Sequence, residues 1–145
     1  MIRLNAFTPD NWRFDLHVRE DQRTFVAPTA VILARAWAYR DARSRAFLIC
    51  SDETPVGAAL YYDDDEASCY EFSQLFIDER YQGCGYGTEA ARQILHLMEQ
   101  DGKYDKVELC YIQGNDAARE LYEKLGFVHT GEVEENEVVM EKRLR

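Results

Sequence analysis

Hydrophobic and polar positions divide the chain into two parts with different patterns. In the first, three segments rich in β-branched and aromatic residues follow one another, separated by short acidic turns. They predict strands at Ala46–Ser51, Val56–Tyr62 and Ser68–Ile77, with a short strand at Ile2–Leu4 in front. In the second part, residues at helical spacing alternate with strand-like runs. That part predicts a helix over about 85–100, a strand over 106–112, a helix from Asn115 or Asp116 to Gly126, and one or two closing strands.

Two further helices are predicted near the N-terminus. Thr8 followed by Pro9 is a typical helix start, with a capping side chain and a proline in the first turn. A second helix is expected from about Thr29, where apolar residues recur at helical spacing. Helices then lie between strands only in the second part of the chain. The order indicates one domain over residues 1–145, with a mixed sheet of the α/β or α+β type flanked by helices.

Composition and charge narrow the function classes. Of the 145 residues, 46% are hydrophobic and 30% are charged, which is typical of a globular domain. The net charge of −10 argues against nucleic acid as a partner and suits a cationic substrate, although acidic surfaces also serve solubility alone. The four cysteines and three histidines match no metal-ligand spacing, so no metal is expected. With no membrane-length apolar run and no signal-peptide pattern, we expect a cytoplasmic protein with reduced thiols.

A glycine-rich segment, Gln82-Gly83-Cys84-Gly85-Tyr86-Gly87, directly precedes a predicted helix. The first N–H groups of a helix have no intrahelical partner and carry partial positive charge, so such a segment is suited to a phosphate. A tight turn without a ligand is the alternative. The segment lacks the lysine of a P-loop, and its third glycine is misplaced for a dinucleotide fingerprint. A NAD site remains an alternative, with Glu108 as the acidic residue about 20 positions further on.

Two motifs resemble the GNAT superfamily of N-acyltransferases. Gln82-x-x-Gly85-x-Gly87 after "QLFID" is similar to its acyl-CoA pyrophosphate loop, and "NDAARELYEKLGF" is similar to its segment N-x-x-A-x-x-x-Y-x-x-x-G-F. "FVAPTAVILARAW" and "FIDERYQGCGYG" also resemble bacterial spermine/spermidine N-acetyltransferases. The resemblance implies a mixed, mostly antiparallel sheet and acetyl-CoA as co-substrate. It also implies a small cationic amine, first of all a polyamine, as acceptor.

The resemblance assigns the cofactor site to backbone groups of the last strand before the loop, to the loop itself and to a helix start. These residues are Leu75, Phe76, Ile77, Gln82, Gly83, Cys84, Gly85, Tyr86, Gly87, Thr88, Asn115 and Tyr122. Cys84 departs from the family pattern, where Lys or Arg is frequent, so the site should rely more on backbone donors. For Asn115, a helix N-cap is an equally good interpretation.

Two residues are candidates for catalysis. The resemblance implies that Tyr122 protonates the leaving thiolate, whereas an aromatic on an amphipathic helix is otherwise most often core. Glu71 is the candidate base, because it lies four residues before Leu75 on one strand and is expected to share its face. A solvated strand glutamate, with water as the base, is the alternative.

Two acidic runs, residues 63–66 and Glu132 with Glu134 and Glu135, are candidates for binding polyamine charges or are simply solvated. The alternatives to a polyamine are another small amine, a protein or peptide amine, or CoA binding without turnover. The resemblance also suggests a homodimer, with closing strands that pair across it.

Overall fold

A seven-stranded sheet in the order β1-β2-β3-β4-β5-β7-β6 forms the body of this computed structural model, which describes residues 1–25 and 27–145. The strands are β1 (Ile2–Ala6), β2 (Arg45–Ser51), β3 (Thr54–Asp64), β4 (Cys69–Ile77), β5 (Lys106–Ile112), β6 (Val128–Glu134) and β7 (Glu137–Arg143). The helices are α1 (Thr29–Ala38), α2 (Tyr86–Asp101) and α3 (Asp116–Lys124). The predicted α/β class and mostly antiparallel sheet are therefore confirmed.

The strands β4 and β5 form the parallel pair in an otherwise antiparallel sheet. They are in register only at Tyr70 with Val107 and at Glu71 with Glu108. Beyond these two pairs β4 and β5 separate, so residues 72–77 of β4 have a strand partner on the β3 side only. The gap between the two strands is where a ligand can reach strand backbone inside the sheet.

The helices cover both faces of the sheet. On one face α2 and α3 bury a core that includes Ile94 and Met98 of α2 and Tyr122 of α3. On the other face Ile32 of α1 packs against Leu48 and Leu60. Burying an aliphatic side chain stabilises the fold by roughly 1.5–3 kcal/mol, so these contacts fix α1 and α2 on opposite faces.

The helix predicted at Thr8 is wrong. The structure has a turn there, in which the Asn11 side chain accepts from the Thr8 N–H at 2.7 Å and the Asn11 N–H donates to the Thr8 carbonyl at 3.2 Å. Trp12 and Phe14 remain exposed, so no apolar face buries this segment as a helix. The second predicted helix is confirmed as α1; Val26, in the run before it, lies outside the described residues.

A β-bulge at Ser73 changes the facing of β4. Leu60 of β3 is opposite Gln74, but the next residue, Tyr61, is opposite Phe72, so Ser73 is an extra residue. An extra residue shifts the alternation of side chains by one position. Consequently Phe72 and Leu75 both pack towards the α2 and α3 side.

No helix in the described part of the chain is long and apolar enough to cross a membrane.

Candidate active site

The glycine-rich segment forms a turn that exposes the N-terminus of α2. Gly83 and Gly85 have φ values of 81° and 80°, in the left-handed region that favours glycine. Gly85 is the N-cap of α2, and the first intrahelical bond runs from the Glu89 N–H to the Gly85 carbonyl at 3.1 Å. The N–H groups before Glu89 in the first turn therefore have no helical partner, as the anion-site hypothesis requires.

A cavity of about 350 Å³ lies over this turn and reaches the gap beside β4. From β4 it is lined by Leu75, Phe76 and Ile77. From the loop, the first turn of α2 and α3 it is lined by Gln82, Gly83, Gly85, Tyr86, Gly87, Thr88, Asn115, Ala117, Ala118, Leu121 and Tyr122. Eleven of the twelve residues predicted for the cofactor lie along it. The exception is Cys84, whose exposed side chain is outside the lining.

A second cavity, of about 340 Å³, opens on the other side of the gap. Among the described residues of its lining, the acidic ones are Glu71 and Glu137 and the cationic one is Arg35, which donates to the Ser73 hydroxyl at 3.2 Å. Tyr39 and Tyr62, also in the lining, stack with ring centroids 4.1 Å apart and planes within 9°. The lining is thus a mixture of carboxylate and aromatic groups, which suits an ammonium group.

The two cavities meet at four residues that line both of them: Leu75, Asn115, Ala118 and Tyr122. Molecules in the two cavities would therefore approach each other beside the Tyr122 ring. The geometry fits a transfer reaction between two substrates that enter from opposite sides.

Tyr122 is a core aromatic that lies where the two cavities meet. It is 7% exposed and packs edge-on against Phe72 and Phe127, at centroid distances of 6.1 and 5.6 Å, so it is a core aromatic. Its hydroxyl has no hydrogen-bond partner among the described residues, and burial raises its pKa above the usual value for tyrosine. It therefore stays protonated at neutral pH and is free to donate to a ligand.

Glu71 lines the second cavity. The structure gives its carboxylate no hydrogen bond or ion pair within the described residues, and Glu108 is its neighbour across β4 and β5. The pKa of Glu71 is raised to about 8. Burial is the main cause, and the negative charges of Glu108, Asp64 and Glu137 add to it. A carboxyl group with this pKa is suited to accept a proton near neutral pH.

The predicted facing of Glu71, on the same side of the strand as Leu75, is wrong, although Glu71 does line the second cavity. Because of the bulge at Ser73, Glu71 and Leu75 face opposite sides of the sheet. The gap between β4 and β5, which opens directly after Glu71, lets both residues contribute to one cavity.

The acidic run at residues 63–66 does not act as one unit. Asp63 is 5% exposed and bonded to Arg43 at 2.6 Å and to Lys103 at 3.1 Å, so it is a structural group that is not available to a substrate. Asp64 and Asp65 line a shallow acidic extension of the second cavity with Asp41. The other predicted acidic set, Glu132, Glu134 and Glu135, is exposed and lines neither cavity.

Three residues that line the second cavity were not predicted from the sequence. Tyr39, Tyr62 and Glu137 come from three distant segments, and no local motif joins them. Asn115 does cap α3, since its side chain accepts from the Ala118 N–H at 3.3 Å, yet it also lines both cavities. Glu108, the acidic residue of the NAD alternative, does not line the cavity over the glycine turn.

Comparison with known proteins establishes the family of this chain. The model of the Acetyltransferase (GNAT) family matches residues 8–127. The chain belongs to the GNAT family of acetyltransferases. This GNAT chain is 32% identical to the spermine/spermidine N(1)-acetyltransferase of Bacillus subtilis strain 168 over 152 aligned positions, covering 99% of each protein. It is 30% identical, with the same coverage, to a probable spermine N(1)-acetyltransferase of Bacillus subtilis subsp. natto.

Solved structures give the same fold for this GNAT chain. A spermidine N-acetyltransferase from Vibrio cholerae, crystallised with CoA and spermine, superposes with a TM-score of 0.77 at 19% identity. The superposition covers 99% of this chain and 95% of that one. An acetyltransferase from Thermus thermophilus superposes with a TM-score of 0.78 at 19% identity, over 98% and 96% of the two chains. At these identities the likeness establishes the fold of this GNAT chain.

Proposed function

We propose that the protein transfers the acetyl group of acetyl-CoA to a small cationic amine, first of all a polyamine such as spermine or spermidine. The observation that carries the proposal is the meeting of the two cavities beside Tyr122. One cavity has anion-binding backbone and no carboxylate among its described lining residues; the other has two carboxylates and stacked aromatic rings.

Acetyl-CoA fits the first cavity by its chemistry. The pyrophosphate would bind the free N–H groups at the start of α2. The pantetheine arm would then follow the unpaired side of β4 along residues 75–77, replacing the strand that β5 does not supply there. This path brings the thioester to Tyr122, where the cavities join.

A polyamine fits the second cavity and its extension. The cavity and the shallow acidic groove beside it share Tyr39, Tyr62 and Glu71. An extended polyamine would place its reacting nitrogen near Glu71 and a second ammonium group near Asp41 and Asp64, which have no ion-pair partner within residues 1–25 and 27–145. Both similar Bacillus proteins carry spermine in their names, which supports this substrate class.

The reaction would proceed by direct attack of the amine on the thioester, without an acyl-enzyme. An ammonium group beside Glu71 favours its carboxylate form and lowers its raised pKa, so binding of the substrate prepares the base. Glu71 takes the proton from the amine, directly or through water, and the neutral nitrogen attacks the carbonyl. Backbone groups of residues 75–77 polarise that carbonyl, and Tyr122 donates its proton to the leaving thiolate.

The test is release of free CoA thiol in the presence of acetyl-CoA and a panel of amines. Spermine, spermidine, putrescine and n-butylamine are primary alkylamines that differ in charge number, and a peptide with a free N-terminus represents protein amines. We expect the highest kcat/KM for amines with two or more ammonium groups. Turnover of the peptide alone would indicate a protein acetyltransferase, and CoA binding without thiol release from any amine would indicate a non-catalytic CoA module.

A matched pair of variants tests the groove. Asp41→Asn removes a carboxylate from the proposed second ammonium site, whereas Asp10→Asn removes one from the exposed turn near the N-terminus. We expect Asp41→Asn to raise the KM for spermine about 3-fold or more and to leave n-butylamine unaffected, because an exposed charge pair contributes up to about 1 kcal/mol. Equal changes in the two variants would argue against the groove.

We further propose a homodimer in a reducing compartment. All seven residues of β6, an outer strand of the sheet, are exposed, which leaves a strand edge available for a second copy. All four cysteines are free thiols, and a reducing cytoplasm would keep them so.

A further inference from the structure

Arg19 is the one formally charged residue among the described residues that line the cavity over the glycine turn. It belongs to an N-terminal segment that precedes α1 and that neither family motif includes. The side chain is exposed and lies 3.6 Å from Asp21, which is exposed as well. An exposed pair of this kind contributes about 0–1 kcal/mol, so a bound anion can replace Asp21 as the partner of Arg19.

Hydrogen bonds on both sides of Arg19 hold its segment against the chain that leads into the glycine turn. Before it, the His17 N–H donates to Asp78 at 2.8 Å, and the His17 carbonyl accepts from the Glu79 N–H at 2.7 Å. After it, the Gln22 side chain accepts from Gln82 at 2.8 Å. Since residues 17 and 22 are bonded to residues 78, 79 and 82, Arg19 is held next to the chain that leads into the glycine turn, in the lining of the same cavity.

Asp78 holds this segment through several hydrogen bonds. Asp78 is fully buried and also accepts from the Arg80 N–H at 2.9 Å and from the Arg80 guanidinium at 2.8 Å. Its pKa is lowered to about 2, because the hydrogen bonds from Arg80 and His17 outweigh the effect of burial. Asp78 therefore remains a carboxylate at every physiological pH, and the position of Arg19 does not depend on pH in that range.

Electrostatics favours a cationic side chain at a pyrophosphate site in this protein. A pyrophosphate carries two negative charges, and the whole chain has a net charge of −10, which opposes its approach. Cys84 brings no cation to the loop, and it is not among the described residues that line the cavity. A guanidinium group binds two phosphate oxygens at once through parallel N–H donors.

We propose that Arg19 binds the pyrophosphate of the nucleotide co-substrate and supplies the positive charge that the loop itself lacks. This inference rests on the proposed function, since it presumes that CoA occupies the cavity. Arg19 acts in binding and does not touch the reacting atoms.

The experiment compares Arg19→Gln with Arg23→Gln by calorimetric titration with CoA. Arg23 is an exposed arginine four residues further on that lines neither cavity, so it controls for loss of one positive charge from the same segment. We expect Arg19→Gln to raise the Kd for CoA about 10-fold, in line with a charge-assisted bond, and Arg23→Gln to change it less than 2-fold. The difference should shrink between about 50 mM and 500 mM salt because salt screens exposed charges.

Truncated ligands identify the group that Arg19 binds. Dephospho-CoA keeps the pyrophosphate and lacks the 3′-phosphate, and pantetheine lacks both. We expect the effect of Arg19→Gln to persist with dephospho-CoA and to vanish with pantetheine, measured as a competitive inhibitor. Equal weakening of pantetheine would show a structural effect, and loss of the effect with dephospho-CoA would assign Arg19 to the 3′-phosphate; either result overturns the proposal.

The outcome separates this inference from the proposed function. If the wild-type protein binds CoA and Arg19→Gln binds it equally well, the role of Arg19 is refuted while the acetyltransferase proposal stands. If the wild-type protein binds no CoA, the proposed function fails first. Arg19→Lys, which keeps the charge and loses the paired donors, should bind CoA with a Kd between those of the wild type and Arg19→Gln.

Discussion

Tyr122 lies where the two cavities meet, and its hydroxyl is the one group of that side chain which packing does not require. Tyr122→Phe keeps the ring contacts with Phe72 and Phe127. If the hydroxyl protonates the thiolate, kcat should fall about 100-fold or more, the usual contribution of a general acid. The KM for acetyl-CoA should change little, because the proposed cofactor contacts are mostly backbone. Steady-state kinetics measure both.

Thermal unfolding of the same variant provides the control. The Tyr122 hydroxyl has no hydrogen-bond partner among the described residues, so its removal should change the free energy of unfolding by less than about 1 kcal/mol. A folded Tyr122→Phe protein that retains nearly normal kcat would refute the acid role and leave Tyr122 as a core residue.

Glu71 couples the second cavity to the pH dependence of stability. Its pKa is raised from 4.5 to about 8 in the folded protein, so the folded state binds a proton that the unfolded state releases. The resulting stabilisation is complete below pH 4.5 and is lost as the pH rises through about 8. Glu71→Gln lacks this loss, so its stability relative to wild type should increase over this range, by at most about 1.4 kcal/mol per pH unit.

Denaturant unfolding at several pH values measures this difference. Glu53→Gln, in an exposed hairpin turn, removes one carboxylate without changing the cavity. Its stability relative to wild type should be flat across the same pH range. A flat difference for Glu71→Gln as well would show that Glu71 titrates as an ordinary carboxylate and is a poor candidate for the base.

At the scale of elements, the start of α2 depends on the left-handed backbone of Gly85. An alanine there costs about 1–2 kcal/mol because of its Cβ, or the turn changes conformation and moves the N–H groups. Gly85→Ala should therefore raise the KM for acetyl-CoA about 5-fold or more, in addition to lowering stability, because the anion site is built from this turn.

Gly131→Ala is the matched control for that strain. Gly131 has a φ of 92° in β6, has nothing within 4 Å of the added Cβ, and lines neither cavity. It should lose a similar amount of stability in thermal unfolding and keep the wild-type KM. If both variants keep that KM, the geometry of the glycine turn does not govern cofactor binding.

At the scale of the whole molecule, the exposed outer strand β6 is the surface that we propose for contact with a second copy of the chain. Val128 and Val133 are 59% and 53% exposed on this outer strand, which is unusual for valines in a sheet. We expect the protein to sediment as a dimer at micromolar concentration and Val133→Asp to shift it to monomer. Val31→Asp, at an exposed position of α1, should leave the dimer intact. A wild-type monomer in this measurement would exclude the homodimer.

Local signals in the chain predict the elements that build the cavity over the glycine turn. Glycines 83 and 85 require a left-handed turn, the first turn of the following helix has free N–H groups, and Asn115 is a natural cap for α3. Each of these preferences acts within a few residues, so it can be recognised in the amino-acid sequence alone. Thr8 and Pro9 are also a local start signal, but no helix forms there. A capping residue does not stabilise a helix that has no apolar face to bury.

Only the tertiary structure decides three features of the second cavity and its surroundings. These are the facing of Glu71, the burial of Asp63 and the stacking of Tyr39 on Tyr62. Glu71 lines the second cavity because of a bulge at Ser73 and the separation of β4 from β5, and both are properties of strand pairing. Asp63 forms hydrogen bonds with Arg43 and Lys103, which lie 20 and 40 residues away in the sequence, so it does not act together with the other acidic residues of the run. Sequence alone determined local backbone geometry and motif chemistry, because these depend on neighbouring residues. The second cavity depends on strand register and long-range charge pairing, which exist only once distant segments are packed together.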